Sequence, residues 1–287
     1  MLTQQSLKAF RQFLDQERCS MIDFHVVLGS GFGEALKELP GGWEKKGVLP
    51  FTDVPGLKAS TVSDHKGAFQ LVRNQSLNRF VLVQLGRLHG YEGHSAQEAI
   101  GPVLLSCYLG VKNYILTNAA GGLMPHLQKP GGVMIIRDHV NLTGQNPLVG
   151  ENPKHPDGYD LGPRFPDMGN CYHFEWGNIL KKEFEALNMN VTEGVYLGIL
   201  GPSFETHAEV RLFASWGMGA VGMSTVWEVI ALKHAGCRVV ALSLISNLAA
   251  GLGNGGALDH EQIVHTSRQS ASKIVEGIFK AIPRLTV

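Results

Sequence analysis

Short runs of apolar and β-branched residues recur along the chain and predict β-strands. They lie at residues 24–28, 69–73, 80–85, 114–117, 133–136, 195–200 and 239–245. Several runs are apolar at consecutive positions, which is typical of strands covered on both faces of a sheet.

Segments with the apolar spacing of helices lie between these strands. Leu7, Phe10 and Leu14 predict an amphipathic helix near the N-terminus. Further helices are predicted at residues 95–109, 205–216, 227–234 and 259–282. The alternation predicts an α/β fold with a mixed or mainly parallel central sheet flanked by helices. We expect one domain over residues 1–287, with residues 144–169 forming a long functional loop.

Composition excludes several classes of protein. The 25 Lys and Arg residues balance the 25 Asp and Glu residues, and 44 % of the chain is hydrophobic. This fits neither intrinsic disorder nor a basic nucleic-acid-binding domain. Because the sequence has no stretch of about 18 apolar residues and no secretory signal, we expect no membrane span. The four scattered cysteines are typical of reduced thiols in a cytoplasmic protein.

Glycine is enriched, at 35 of 287 residues, against about 7 % in average proteins. Glycines cluster where predicted strands end. After the first strand, Gly29-Ser30-Gly31 predicts a turn that leads into a helix, with Ser30 as a donor to an anion. A plain tight turn is the alternative, since neither the dinucleotide pattern nor the P-loop pattern is complete.

A second glycine-bounded motif, at residues 86–93, follows another predicted strand. Arg87 and His89 are candidate donors to a phosphate, Glu92 can hold the His89 ring, and Tyr91 can reach a sugar hydroxyl. The alternative is a structural ion pair between Arg87 and Glu92, the only obvious carboxylate nearby in sequence.

Four further segments carry candidate chemistry. Residues 117–122 (TNAAGG) allow a ligand to approach backbone amides closely, with a glycine turn as the alternative. In residues 201–206 (GPSFET), Phe204 can stack on a planar heterocycle and Glu205 can accept its N–H protons, unless Ser203 caps a helix that contains Glu205. In GMST at 222–225, Ser224 is predicted to donate a hydrogen bond to phosphate rather than to act as a nucleophile, since valine at 226 breaks the nucleophile-elbow pattern. The Asn247 amide suits a base edge.

Metal binding is not predicted. The chain has 12 histidines, but the metalloprotease pattern of two histidines on one helical turn is absent.

These motifs, with Arg-Phe-Pro at 164–166 and Ser-Asn at 246–247, occur in an order that resembles the trimeric purine nucleoside phosphorylase family over about residues 21 to 280. The resemblance implies a single α/β domain with a distorted, barrel-like mixed sheet. It also implies reversible phosphorolysis of 6-oxopurine nucleosides, such as inosine and guanosine, to the free base and ribose 1-phosphate.

Site residues are implied by the same resemblance. The implied phosphate-binding residues are Ser30, His65, Arg87, His89, Ala119 and Ser224. The implied ribose-binding residues are Tyr91, Met223, His260 and Phe165. The implied base-binding residues are Phe204, Glu205, Ser246 and Asn247. Asn247, Glu205 and His89 are the implied catalytic groups, with Glu92 behind His89. Inorganic phosphate is the cosubstrate, with no cofactor and no metal. A cytoplasmic homotrimer is implied, in which Phe165 covers the neighbouring site.

The sequence departs from the family pattern at three places: Trp227 replaces a usual proline, Asp64 replaces a usual glycine, and residues 253–256 are unusually glycine-rich. A methylthioadenosine phosphorylase is the nearest alternative, although that branch favours aspartate at the position of Asn247. A non-catalytic protein that binds nucleosides or phosphate is the alternative from another class, and a serine hydrolase fits less well.

Overall fold

The computed structural model describes residues 2–32, 35–61, 67–252 and 260–286, and the side chains of residues 260–269 lie outside that description. The strands in the described residues are β1 Phe24–Leu28, β2 Trp43–Pro50, β3 Ala68–Asn74, β4 Arg79–Leu85, β5 Asn113–Gly122, β6 Val133–Asn141, β7 Val191–Gly198, β8 Met218–Gly222 and β9 Arg238–Leu248. The helices are α1 Gln4–Gln16, α2 Ala96–Ala99, α3 Gly101–Tyr108, α4 Phe174–Ala186, α5 His207–Ser215, α6 Val226–His234 and α7 His260–Ala281.

The strands form one mixed sheet in the order β2-β3-β4-β1-β5-β8-β7-β6-β9. β9 also pairs with β5 in parallel from Asn113 opposite Arg238 to Gly122 opposite Leu248. This pairing closes β5, β8, β7, β6 and β9 into a ring. The predicted mixed α/β fold with a barrel-like sheet is therefore confirmed.

Hydrophobic clusters cover both faces of the sheet. In β1, Val27 belongs to one cluster, which contains α1, α3 and α6. Its neighbours Val26 and Leu28 belong to another, which contains α4 and α7. Since successive side chains of a strand point to opposite faces, the two clusters lie on opposite sides. This double burial explains why Val26, Val27 and Leu28 are apolar at consecutive positions.

Several elements differ from the sequence prediction. β2, β8 and α4 had not been predicted; β2 reads WEKKGVLP and is a partly exposed edge strand, so its pattern is polar. The helix predicted after Gly31 is wrong, because described residues 35–42 form turns before β2 begins. The TNAAGG segment is not a turn: β5 continues through it to Gly122, with a register irregularity between Ala120 and Gly121.

Candidate active site

One cavity of about 450 Å³ opens near the carboxyl ends of β1, β4, β5, β8 and β9. Small-molecule sites commonly have volumes of roughly 300–1,000 Å³. The sequence-predicted residues that line it are Ser30, Arg87, His89, Tyr91, Ala119, Phe204, Glu205, Met223, Ser224, Ser246 and Asn247. The fold thus brings together side chains from distant motifs at one end of the sheet.

Arg87 is almost fully buried and is held by a carboxylate that sequence reasoning missed. Its Nε and Nη2 donate to Glu228 of α6 at 3.3 and 3.0 Å, and its Nη1 donates to the Thr117 carbonyl at 2.7 Å. Three of its five N–H donors are committed to these contacts, which leaves at most two for a ligand. The suggested Arg87–Glu92 pair is wrong, because the partner is Glu228.

Glycine at position 29 allows the guanidinium to sit against the β1 turn. A Cβ added to Gly29 would collide with Arg87 Nη1 and would lie 2.9 Å from the Thr117 carbonyl oxygen. The Gly29 amide donates to Thr117 Oγ1 at 3.3 Å. The glycine predicted as part of a tight turn is therefore required for close approach of Arg87.

Glu92 holds His89, as the sequence predicted. Glu92 Oε1 contacts both the His89 amide and its Nδ1 at 2.9 Å, while Oε2 accepts from the Thr61 amide at 2.6 Å. Although burial alone raises the pKa of Glu92, the hydrogen bonds from His89 and Thr61 lower it well below its usual range. An ionised carboxylate only accepts, so the His89 proton lies on Nδ1.

Burial lowers the pKa of His89 and outweighs the hydrogen bond to Glu92, which raises it; the nearby Arg87 charge lowers it further. The imidazole is therefore neutral at neutral pH, with Nε2 as its unprotonated nitrogen. This changes the predicted chemistry: Nε2 of His89 presents an acceptor rather than the second hydrogen-bond donor that the sequence suggested.

Ser224 lies on a strained turn between β8 and α6. Thr225 has φ 71° and ψ −45°, and the Val226 amide donates to the Ser224 carbonyl at 2.8 Å, which makes a γ-turn. Asn118 Nδ2 holds the turn through a 2.9 Å bond to Thr225 Oγ1. Backbone strain of this kind persists only where surrounding contacts hold it, and it is concentrated at functional sites. The turn places Ser224 at the cavity wall, where its amide donates to the Tyr196 hydroxyl at 3.4 Å.

The Asn247 amide has a defined orientation. The atom 2.9 Å from the Leu248 carbonyl must be Nδ2, because a carbonyl can only accept. Oδ1 then accepts the Ser246 hydroxyl at 2.8 Å. One N–H of Nδ2 is used by Leu248, so the amide can offer its other N–H to a ligand.

Glu205 is not part of a capped helix. Thr206 is the N-cap of α5: its Oγ1 accepts the Glu209 amide at 3.2 Å. The suggestion that Ser203 caps a helix containing Glu205 is therefore wrong. Burial raises the pKa of Glu205, and the Glu209 carboxylate raises it further. The neighbouring Phe204 side chain is 47 % exposed, so its ring is accessible for stacking on a planar ligand.

Three predicted site residues are not placed in this cavity. His65 lies outside the described residues, and His260 begins α7 but its side chain is not described. Phe165 is 87 % exposed and borders a different cavity of about 420 Å³. In the described part of the chain, no group of three or more His, Cys, Asp or Glu is arranged to hold a metal ion. No helix there is long and apolar enough to cross a membrane.

Comparisons with known proteins agree with the motifs. The sequence profile of the phosphorylase superfamily matches residues 25–280. The chain is 39 % identical to purine nucleoside phosphorylase 1 of Geobacillus stearothermophilus over 95 % of this chain and 94 % of the relative. It is 36 % identical to purine nucleoside phosphorylase of Bos taurus over 88 % and 86 % of the two chains.

Solved structures also match. Schistosoma mansoni purine nucleoside phosphorylase in complex with adenosine superposes with a TM-score of 0.82 at 29 % identity, and the match covers 99 % of both chains. A Schistosoma purine nucleoside phosphorylase in complex with hypoxanthine matches to the same extent. Together these findings confirm the predicted resemblance and the assignment as an enzyme: the chain belongs to the purine nucleoside phosphorylase family of the phosphorylase superfamily.

Proposed function

We propose that this enzyme cleaves 6-oxopurine nucleosides, such as inosine and guanosine, with inorganic phosphate as the second substrate and no other cofactor. The supporting observation is a single cavity lined both by anion donors, at Arg87 and Ser224, and by groups suited to a base, at Glu205 and Asn247. A shared cavity is required because a phosphate oxygen must reach the ribose carbon directly.

In the proposed reaction, a phosphate oxygen bonds to the ribose carbon as the bond from that carbon to the purine nitrogen breaks. The bonding pair leaves with the purine, and the proton of hydrogen phosphate balances the proton that the base gains. Positive charge on the ribose is stabilised by phosphate, and negative charge on the purine is stabilised by the Asn247 amide. Neutral His89 accepts the phosphate hydroxyl through Nε2, while Arg87 and Ser224 donate to the other oxygens.

The preference for a 6-oxo base is supported by the two polar groups of the base site. The remaining N–H of Asn247 Nδ2 can donate to purine N7 or O6, which are both acceptors. The Glu205 carboxylate can accept the N1 proton, which a neutral 6-aminopurine lacks. The similar structures hold adenosine in one case and hypoxanthine in the other, so they do not favour one type of base. The proposed preference for a 6-oxo base therefore rests on Glu205 and Asn247 of this chain.

The test compares inosine, adenosine and methylthioadenosine at several phosphate concentrations while release of the base is measured. We expect phosphate-dependent release of hypoxanthine from inosine to have the highest kcat/KM. A preference for methylthioadenosine or adenosine would overturn the 6-oxopurine proposal. Asn247→Asp should move the preference towards adenosine, because a carboxyl group suits the 6-amino substituent.

A cytoplasmic homotrimer in which Phe165 covers a neighbouring ribose site is part of the same proposal. The Phe165 ring is exposed beside Leu148, Val149 and Ile230, which line an open apolar surface. The four cysteines are buried free thiols, which supports a reducing location.

Light scattering tests the trimer, and complementation tests the shared site. Phe165→Ala and Asn247→Ala chains should each be weakly active alone. If Phe165 serves a neighbour, mixed oligomers should regain activity at sites that combine an intact Asn247 with an intact Phe165 from the next subunit. Trimers without such recovery would contradict the shared site.

A further inference from the structure

Trp227 lies in the first turn of α6 and connects two loops of the active-site region. Its Nε1 donates to Thr143 Oγ1 at 2.9 Å. Its ring lies against Gly90, where an added Cβ would be 2.6 Å from Trp227 Cη2. The side chain is only 8 % exposed, and it bridges the Gly90 backbone and the turn after β6.

The Gly90 backbone separates two residues that line the cavity. His89 and Tyr91 on either side of it stack with ring centroids 4.6 Å apart and planes 16° apart. A shift of Gly90 towards α6 would move Tyr91 away from the His89 ring, which Glu92 holds in place. The Trp227 ring, together with Leu200 Cδ1, occupies the space next to Gly90 into which the backbone would move.

Arg87, near the start of the loop, makes its hydrogen bonds with residues other than Trp227. Its guanidinium is anchored by Glu228 and by the Thr117 carbonyl. The two ends of the 86–93 loop therefore have separate supports, one for Arg87 and one for Gly90 and Tyr91.

Thr143 is a firm anchor for the Trp227 ring nitrogen. Its amide donates to Asn141 Oδ1 at 3.1 Å, and its Oγ1 accepts the Gln145 amide at 3.2 Å. These local bonds fix the turn that follows β6, so the indole N–H points at an acceptor that is itself held in place.

We propose that Trp227 is a positioning residue for the ribose end of the active site, through its packing on Gly90 and its hydrogen bond to Thr143. The inference rests on the proposed ribose contact of Tyr91. Nucleoside binding should depend on Trp227, whereas phosphate binding should not, because Arg87 is anchored by Glu228 and His89 by Glu92.

The test uses Trp227→Phe, which keeps a ring but removes the indole N–H, and Thr143→Val, which removes the acceptor. Both variants should raise KM for the nucleoside by about three- to tenfold, the range of one net hydrogen bond, with KM for phosphate changed by less than about twofold. The double variant should be no worse than Thr143→Val alone, because Thr143→Val already removes the Trp227 bond along with the local bonds of the Thr143 hydroxyl to Asn141 and Gln145. Thr143→Ser should restore the wild-type value.

Trp216→Phe is the matched control, because Trp216 is 50 % exposed at the end of α5. It should leave both KM values unchanged. The substrate is whichever of inosine and adenosine the wild-type enzyme cleaves better, so failure of the 6-oxopurine proposal does not affect the result.

Amide hydrogen exchange provides a readout that does not need turnover. Residues 89–92 should exchange faster in Trp227→Phe and Thr143→Val than in the wild type and in Trp216→Phe. Unchanged exchange and unchanged nucleoside KM would overturn the proposal. An equal rise in both KM values would also overturn it, because that result indicates general loosening rather than support for the ribose end.

Discussion

Removal of Glu228 tests how Arg87, which lines the candidate active site, is held. Arg87 and Glu228 side chains are 2 % and 5 % exposed and their closest N–O distance is 3.0 Å. Removing one partner of a buried pair leaves an uncompensated charge and costs about 3–5 kcal/mol. We therefore expect Glu228→Ala to lower the free energy of unfolding by about that amount in urea, and to raise KM for phosphate because Arg87 loses its orientation.

The control is an exposed ion pair on α7. Glu276 and Lys280 side chains are 40 % and 47 % exposed, and such pairs contribute only about 0.2–1 kcal/mol. Glu276→Ala should therefore change stability little. The double variant Arg87→Met, Glu228→Met should recover most of the lost stability, because it removes the buried charge, but it should not recover phosphorolysis. A loss below about 1 kcal/mol for Glu228→Ala, or no recovery in the double variant, would refute the reasoning.

Three other predictions follow from burial and close packing. Burial lowers the pKa of His25 from 6.5 to about 3. The stability that the neutral imidazole contributes is therefore complete above the unfolded pKa and is lost as the pH falls from about 6.5 towards 3. In urea unfolding across this range, His25→Asn should lose less stability than the wild type. Burial raises the pKa of Glu205. As the pH is lowered, KM for inosine should therefore begin to rise at a pH above the range in which an ordinary carboxyl group titrates. Glu205→Gln should lack this pH dependence. Gly29→Ala should cost about 1–3 kcal/mol and raise KM for phosphate, whereas Gly41→Ala, where an added Cβ meets no atom within 4 Å, should do neither.

Sequence reasoning found the cavity residues because they stand where strands end. In an α/β sheet, groups at the carboxyl ends of neighbouring strands come together, so motifs far apart in the chain share one site. Ser30 after β1 and Asn247 in β9 were predicted on residue type and resemblance, and both line the same cavity. Edge strand β2 was missed for the opposite reason, because a partly exposed strand lacks the apolar run that identified β1.

The supporting contacts could not be predicted because they join distant residues. Arg87 and Glu228 are 141 positions apart, and Asn118 and Thr225 are 107 apart. No local periodicity specifies such pairs. The one available signal for Glu228 was a lone acid within the apolar run of α6, since a buried carboxylate requires a cationic or hydrogen-bonding partner.

The small number of charged groups in the cavity has a mechanistic consequence in the proposed reaction. Among the described residues that line the cavity, Arg87 and Glu205 are the ones with formal charge, and Arg87 is already neutralised by Glu228. His89 is neutral because burial lowers its pKa. A phosphate bound there by hydroxyl and N–H donors would keep most of its negative charge. That charge can then stabilise the positive ribose in the transition state, whereas a strongly basic site would bind phosphate tightly and weaken this effect.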